Sequence, residues 1–293
     1  MNPFSKISRK IYEQLFAHLW LLQPLRKAHI LPFSIYKHLY FKGSFNVQVD
    51  PNTQFKMYNH GNYVETLLFW GGIEHGWEKT SLQLWKALSK DAHYILDIGA
   101  NTGVYSLLAA SVQPKAEIHA FEPINRVFDK LQKNIQANQF NISAHNIACG
   151  DQNTTTVIYD SHEEHNYMAS LVQNAHANHD GSLEQKIEVR TIDSLIESGV
   201  IKGVDLVKID VEKFEPQVLA GFTKIAALKP DFLIEILNDE IASAISQIIG
   251  QLDYLYFNID EEKGAVLVSK LSGSSTYNYL ICKETTAQRL GLV

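Results

Sequence analysis

Four acids stand at or just after the ends of successive apolar runs: Asp97, Glu122, Asp151 and Asp210. Carboxylates so placed accept hydrogen bonds from hydroxyl, amino and ammonium groups. Asp97 follows Tyr94-Ile95-Leu96 and opens a turn that carries Gly99, Asn101 and Gly103. Helical spacing then begins with Val104, Leu107 and Leu108, so the stretch reads as strand, glycine-rich turn and helix. Glycine there permits a positive φ and a close approach to the backbone, and the new helix offers unpaired N–H groups. A dinucleotide fingerprint needs G-x-G-x-x-G, with a pyrophosphate on the helix N-terminus. This turn is G-x-x-x-G with an acid before it, which repels a pyrophosphate and attracts a cation. It favours a nucleoside ligand that carries an ammonium and a sulfonium. Glu122 comes about 25 positions after Asp97, close to the roughly 20 expected of a ribose-binding acid. Its alternative is an N-terminal helix acid ahead of Pro123. Asp151 is placed to accept from an adenine amino group.

A second cluster is Val207-Lys208-Ile209-Asp210-Val211-Glu212-Lys213-Phe214-Glu215. Lys208 lies two positions before Asp210, on the same face of one strand, and either pairs with a carboxylate or sits at the rim. Asp210, Glu212 and Glu235 offer oxygens that a hard cation accepts, but their spacing fits no dedicated metal motif, and no metal is expected. His162-Glu163-Glu164-His165 is not H-E-x-x-H, and a zincin reading fails.

The elements that must position these residues follow from periodicity. Residues 63–90 read as helical, broken at Gly71-Gly72 and Gly76. From Tyr94 strand and helix alternate: 94–98, 117–122, 141–147, 204–209, 231–237, 254–259 and 278–282 are strands, and Ala265–Val268 is a short extra one. Asp151 then follows the third strand. Such βαβ order implies parallel strands with right-handed crossovers. Thr154–Tyr159 and Ile187–Ile192 interrupt the rhythm as two strands around a polar loop, 160–184. Residues 45–58 alternate around Pro51-Asn52 as a hairpin. Residues 1–42 hold seven Lys or Arg and the single acid Glu13. Ile7, Ile11, Leu15, Leu19 and Leu22 keep helical spacing until Pro24 interrupts. Such a basic amphipathic helix packs on the main domain or lies on an anionic membrane or a partner. The domains expected are an extension, 1–62, and a ligand-binding domain, 63–293.

The chain has 293 residues, 45% of them apolar and 20% charged, as in an ordinary globular domain. A net charge of −6 argues against a general nucleic-acid partner. Only Cys149 and Cys282 are present, with no zinc spacing and no disulfide framework. No run reaches the roughly 18 apolar residues of a membrane span, and no secretory signal is read at the N-terminus. A cytoplasmic location is expected.

The pattern D-x-G-x-N-x-G resembles the first motif of class I S-adenosylmethionine (SAM) methyltransferases. The combination D-I-G-A-N-T-G, F-E-P, K-I-D-V-E-x-x-E and an apolar strand with I-E-I resembles the FkbM family of these enzymes over roughly residues 60–260. The resemblance implies a doubly wound, mostly parallel seven-stranded α/β sheet of the Rossmann-like kind, behind an N-terminal helical and hairpin extension. It implies SAM as cofactor, held by Asp97, Gly99, Asn101, Gly103, Glu122, Asp151 and Asp210. It implies methyl transfer, most simply to an oxygen of a small molecule or glycan. A hydroxyl acceptor benefits from a base; Asp210, Glu212 and Glu215 are the candidates, with His162 and His165, and Asp210 is best placed. Glu212 and Glu215 read otherwise as a solvated helix start. Tyr167, Met168 and Ser170 are candidates to line the acceptor site. The family's usual glycine after D-V-E is Lys213 here. The rivals are a non-catalytic SAM-binding module on the same fold and a NAD-dependent oxidoreductase, whose G-x-G-x-x-G turn is missing.

Overall fold

A computed structural model describes residues 19–28, 31–160 and 183–293, and the chain divides into two compact units at Lys79–Thr80.

In the first unit, helix α1 (Leu19–Ala28) contains Pro24. The expected interruption at Pro24 does not occur. The proline is exposed, and the carbonyl it fails to bond can turn to water. After the single turn α2 (Phe33–Tyr36) comes the expected hairpin, β1 (Lys42–Asp50) against β2 (Thr53–His60). Its alternation buries Phe45, Val47, Val49, Phe55 and Met57. Helix α3 (Tyr63–Gly71) adds Phe69, whose ring lies 4.5 Å from Phe41 and 5.6 Å from Phe45. A cavity of about 140 Å³ in this unit is lined by Arg26, Tyr36, Trp70 and His75 among others.

The second unit is built on an eight-stranded sheet. Its strands are β3 (Tyr94–Ile98), β4 (Glu117–Phe121), β5 (Ile142–His145), β9 (Leu206–Ile209), β10 (Asp231–Glu235), β11 (Leu255–Asp260), β12 (Gly264–Val268) and β13 (Asn278–Cys282). Their order is β12-β11-β13-β10-β9-β3-β4-β5. The five strands from β10 to β5 are parallel, and β13 enters antiparallel between β10 and β11. This is the expected doubly wound sheet. Its seven strands are joined at the edge by β12, the short extra strand. The order runs outward from β3 in both directions, so the reversal lies between β3 and β9. In open α/β sheets that is where ligands bind, beyond the carboxyl ends of the strands.

The two faces differ. On one, Leu96, Ile98, Val207, Ile209, Phe232, Ile234, Tyr279 and Ile281 form an apolar core with Val218, Phe222, Ile241, Ile245 and Ile249. These last come from α8 (Glu215–Ala220), the loop after it and α10 (Asp239–Ile249). The register puts Asp97 beside Lys208, Lys208 beside Leu233, and Glu235 opposite Asn278. The second face therefore carries polar residues on four adjacent strands, with Leu233 between Lys208 and the Glu235–Asn278 pair. Helices α4 (Lys79–Ser89) and α5 (Val104–Val112) contribute Trp85 and Tyr105, whose rings meet edge to face at 5.5 Å. Trp85 Nε1 donates to the Tyr105 carbonyl at 2.9 Å.

The third strand is shorter than expected. Residues 148–149 leave it to form β6 (Ala148–Cys149) in a separate three-stranded sheet with β7 (Thr154–Asp160) and β8 (Leu183–Arg190). Ile192 is not strand. It begins helix α7 (Ile192–Glu197), capped by the Thr191 side chain, which accepts from Ser194 N.

Candidate functional site

The Asp97 turn lies at the sheet's switch point. Burial brings Asp97 to 1% exposure, and its Oδ2 accepts from Ser106 N at 2.9 Å and Ser106 Oγ at 2.5 Å. One carboxylate oxygen thus holds the first turn of α5. No hydrogen bond from the described residues falls on Oδ1. Burial raises the carboxyl pKa to about 6, against the lowering pull of Ser106 and Lys208.

Gly99 has φ +80°, and a Cβ there would lie 1.9 Å from the Asp210 carbonyl oxygen. The close approach this glycine permits is thus of backbone on backbone: the turn after β3 is pressed against the end of β9. Gly103 has φ +92°, which strains any other residue, and a Cβ there would lie 2.6 Å from Leu131 Cδ1. Asn101 also has a positive φ, 50°, and its buried Oδ1 has no hydrogen-bond partner.

Glu122, 5% exposed, follows β4 directly. Its Oε2 accepts from Asn101 N at 3.0 Å and its Oε1 from Ile124 N at 2.9 Å. Each oxygen keeps a second lone pair. Burial pushes this carboxyl up to about 7. It closes the same turn that Asp97 opens, which spacing alone does not reveal.

Asp151 is carried by a different sheet than expected. It follows β6 of the small sheet rather than a strand of the main sheet, and is exposed. Its backbone lies against Gly221, where a Cβ would come 3.3 Å from the Asp151 Cα.

At the end of β9, Lys208 is 1% exposed. Its Nζ donates to Asp210 Oδ2 at 3.1 Å and lies 5.0 Å from the centre of the Tyr105 ring. A buried lysine needs such a partner, because desolvating a lone ammonium costs several kcal/mol. The chain then turns sharply: Glu212 and Lys213 have φ of 53° and 78°. Glu215 is fully buried, which excludes the solvated helix start. Its Oε1 accepts from Val211 N and Lys213 N, both at 3.2 Å, so it pins the turn, and its Oε2 is unpartnered. Burial raises Glu215 to about 7. Glu212 is half-buried, and its pKa is raised by burial and then by Asp210.

Glu235 ends β10, one residue past Ile234, as Asp210 stands one residue past Ile209, the partner of Ile234 in the parallel pair. Burial, then the charge of Asp210, holds its carboxyl well above the usual range, and its Oε2 has no partner. The sequence marked this residue only as a metal candidate. Among the described residues no group of three or more His, Cys, Asp or Glu is arranged to hold a metal. Ser106, Tyr105 and Asn278 were not legible as site residues; only Lys208 in an apolar strand gave a signal. His162, His165, Tyr167, Met168 and Ser170 lie outside the described residues. Among the described residues no helix is long and apolar enough to cross a membrane.

The acids and orphaned acceptors suit a ligand rich in donors. Asp97 Oδ1 and Asn101 Oδ1 are acceptors for an ammonium, and the spare lone pairs of Glu122 for a ribose diol. SAM carries both groups, and the residues present fit it.

Comparison with known proteins agrees. Residues 97–257 match the family model described as "Methyltransferase FkbM domain". "Methyltransferase 1" of Beauveria bassiana is 29% identical over 153 residues, covering 45% of this chain and 59% of that protein. "Hexuronic acid methyltransferase AglP" of Haloferax volcanii is 28% identical over 154 residues, covering 50% and 56%. The chain thus spans little more than half the length of these relatives. Among solved structures, an O-methyltransferase from Bacillus cereus in complex with SAH superimposes with a TM-score of 0.40 at 13% identity, covering 70% of this chain and 80% of that one.

Proposed function

The chain belongs to the FkbM methyltransferase family, and on that premise we propose that it transfers the methyl group of SAM to a hydroxyl oxygen of a small-molecule or sugar acceptor. The observation that carries this reading is the contact of the Gly99 turn with the Asp210 backbone, which sets a cation-binding turn against a carboxylate at the switch point. Asp97 and Asn101 hold the amino-acid end of the cofactor, Glu122 the ribose, and Asp151 the adenine edge. Gly99 and Gly103 shape the turn. When bound, SAM supplies an electrophilic methyl on a sulfonium.

The chain's own residues do the rest. Positioning supplies much of the rate when the leaving group is already good. Asp210 takes the proton of the acceptor hydroxyl at its Oδ1, while Lys208 holds Oδ2. Glu212 adds negative charge beside Asp210, and Glu215 fixes the turn on which both stand. We assign this chemistry to residues 63–293 and peripheral contact with a membrane or partner to residues 1–42.

The test is calorimetric titration of the full chain with SAM, S-adenosylhomocysteine (SAH) and NAD, beside Asp97→Ala and Glu122→Ala. The expected result is micromolar binding of SAM and SAH, none of NAD, and loss of binding in both folded variants. An acceptor screen then follows SAH release. Binding of NAD, or of nothing by folded protein, overturns the reading. Tight SAM binding with no turnover on any acceptor favours a non-catalytic module.

A further inference from the structure

Two of the buried polar atoms that the reading above leaves unused belong to neighbouring residues. Glu235 and Asn278 are direct partners across the antiparallel β10–β13 pair, where opposed Cβ atoms lie about 5 Å apart. Glu235 Oε2 and Asn278 Oδ1 are both buried without a hydrogen-bond partner. Asn278 is 9% exposed.

The orientation of the Asn278 amide follows from its neighbours. Ser81 Oγ donates to Glu261 Oε1 at 2.9 Å. The serine oxygen therefore accepts, and Asn278 Nδ2 donates to it at 3.3 Å. With the nitrogen engaged, Oδ1 is left as an acceptor. Thr80 N donates to Glu261 Oε2 at 2.6 Å, so the far end of the chain is anchored in backbone. The Glu235 carboxyl, held above its usual range, offers an O–H donor as well as an acceptor, and two adjacent buried polar atoms without partners are costly, roughly 1–3 kcal/mol each. Native structures keep few such atoms, and each calls for a cause.

Their place in the sheet names the cause. The candidate cofactor residues Asp97 and Glu122 stand on β3 and after β4, to one side of Asp210. Glu235 and Asn278 stand on β10 and β13, to the other side. On the side of Asp210 away from the candidate cofactor residues, the next strands are β10 and β13, which carry these two residues.

We propose that Glu235 and Asn278 form an acceptor subsite that takes hydroxyl donors of a neutral polyol, a sugar ring with adjacent hydroxyls, beside the hydroxyl that meets Asp210. The proposal rests on the methyl-transfer reading.

The experiment uses the full chain saturated with SAH and follows binding of methyl α-D-glucopyranoside by ligand-observed NMR titration. Cyclohexanol, a ring with a single hydroxyl, is the control. The expected result is glycoside binding at least tenfold tighter than cyclohexanol. Glu235→Gln and Asn278→Leu each weaken it tenfold or more, while SAH affinity stays within twofold. Equal binding of glycoside and cyclohexanol overturns the subsite, a comparison that needs no variant. Glycoside affinity unchanged in both variants also overturns it. Failure of the wild-type chain to bind SAH overturns the methyl-transfer reading itself and the subsite with it; SAH binding without glycoside binding overturns the subsite alone.

Discussion

Lys213 occupies a backbone conformation that suits glycine, and replacing it should stabilise the protein. Its φ is 78°, where a Cβ costs roughly 1–2 kcal/mol. Glycine removes that cost but loses more conformational entropy on folding, roughly 0.5–1 kcal/mol. The lysine side chain is exposed and makes no hydrogen bond or ion pair among the described residues, so little is lost with it. The Lys213 N–H bond to Glu215 Oε1 survives any substitution except proline. Lys213→Gly should therefore gain about 0.5–1 kcal/mol. At about 2–4 °C per kcal/mol for a domain of this size, the midpoint rises by about 1–4 °C. Lys213→Ala keeps the Cβ and should shift it by less than about 1 °C. Thermal melts of the three proteins at one pH decide the matter. A midpoint that falls in Lys213→Gly, or rises equally in Lys213→Ala, refutes the claim that backbone strain is stored in this turn.

Gly99→Ala places a methyl 1.9 Å from a backbone carbonyl oxygen at φ +80°; urea melts should show a loss of about 3 kcal/mol or more, and a loss under about 1 kcal/mol would contradict the contact. Ser106→Ala removes the hydroxyl bond to Asp97 and should cost about 1–3 kcal/mol, measured in the same way, together with a weaker grip on SAH by calorimetry. Glu215 keeps its proton in the folded state up to about pH 7, against an ordinary value of 4.5. Its contribution to stability is therefore present below about pH 4.5 and is lost as pH rises towards 7, an effect of at most about 3 kcal/mol. Glu215→Gln has no such proton to lose, so its urea midpoint should fall less than that of wild type between pH 5 and pH 7.5; a steeper fall in the variant would refute the assignment.

Much of the frame was legible because the parallel strands are buried on both faces and read as apolar runs. The strand–turn–helix at Asp97, the acid after β4 and the lysine among apolar residues of β9 each broke such a run at a place that chemistry could use. Other features depend on pairing between distant segments. Residues 148–149 are apolar enough to continue the third strand, but they pair with β8, so Asp151 follows the small sheet instead. Nothing local marks Asn278 as the partner of Glu235, because antiparallel register across more than 40 residues leaves no periodic trace. Glu215 looked like an ordinary helix-start acid; its burial comes from the way residues 211–214 fold back over it. Lys213 was visible as a departure from the family's glycine, but its positive φ belongs to the backbone.

The late arrival of β13 sets an order of assembly. Asn278 and the serine it bonds are 197 residues apart, and the glycine turn is synthesised long before either β10 or β13 is complete. During translation the cofactor half can close first, while β10 waits with an unpaired edge. A chain that stops short of residue 278 would keep Asp97, Glu122 and Asp210, lack the proposed acceptor subsite, and present a bare apolar strand on which other chains can add. Nonsense and frameshift lesions between codons 236 and 278, which keep β10 and remove β13, should therefore be read out as aggregation as well as lost activity.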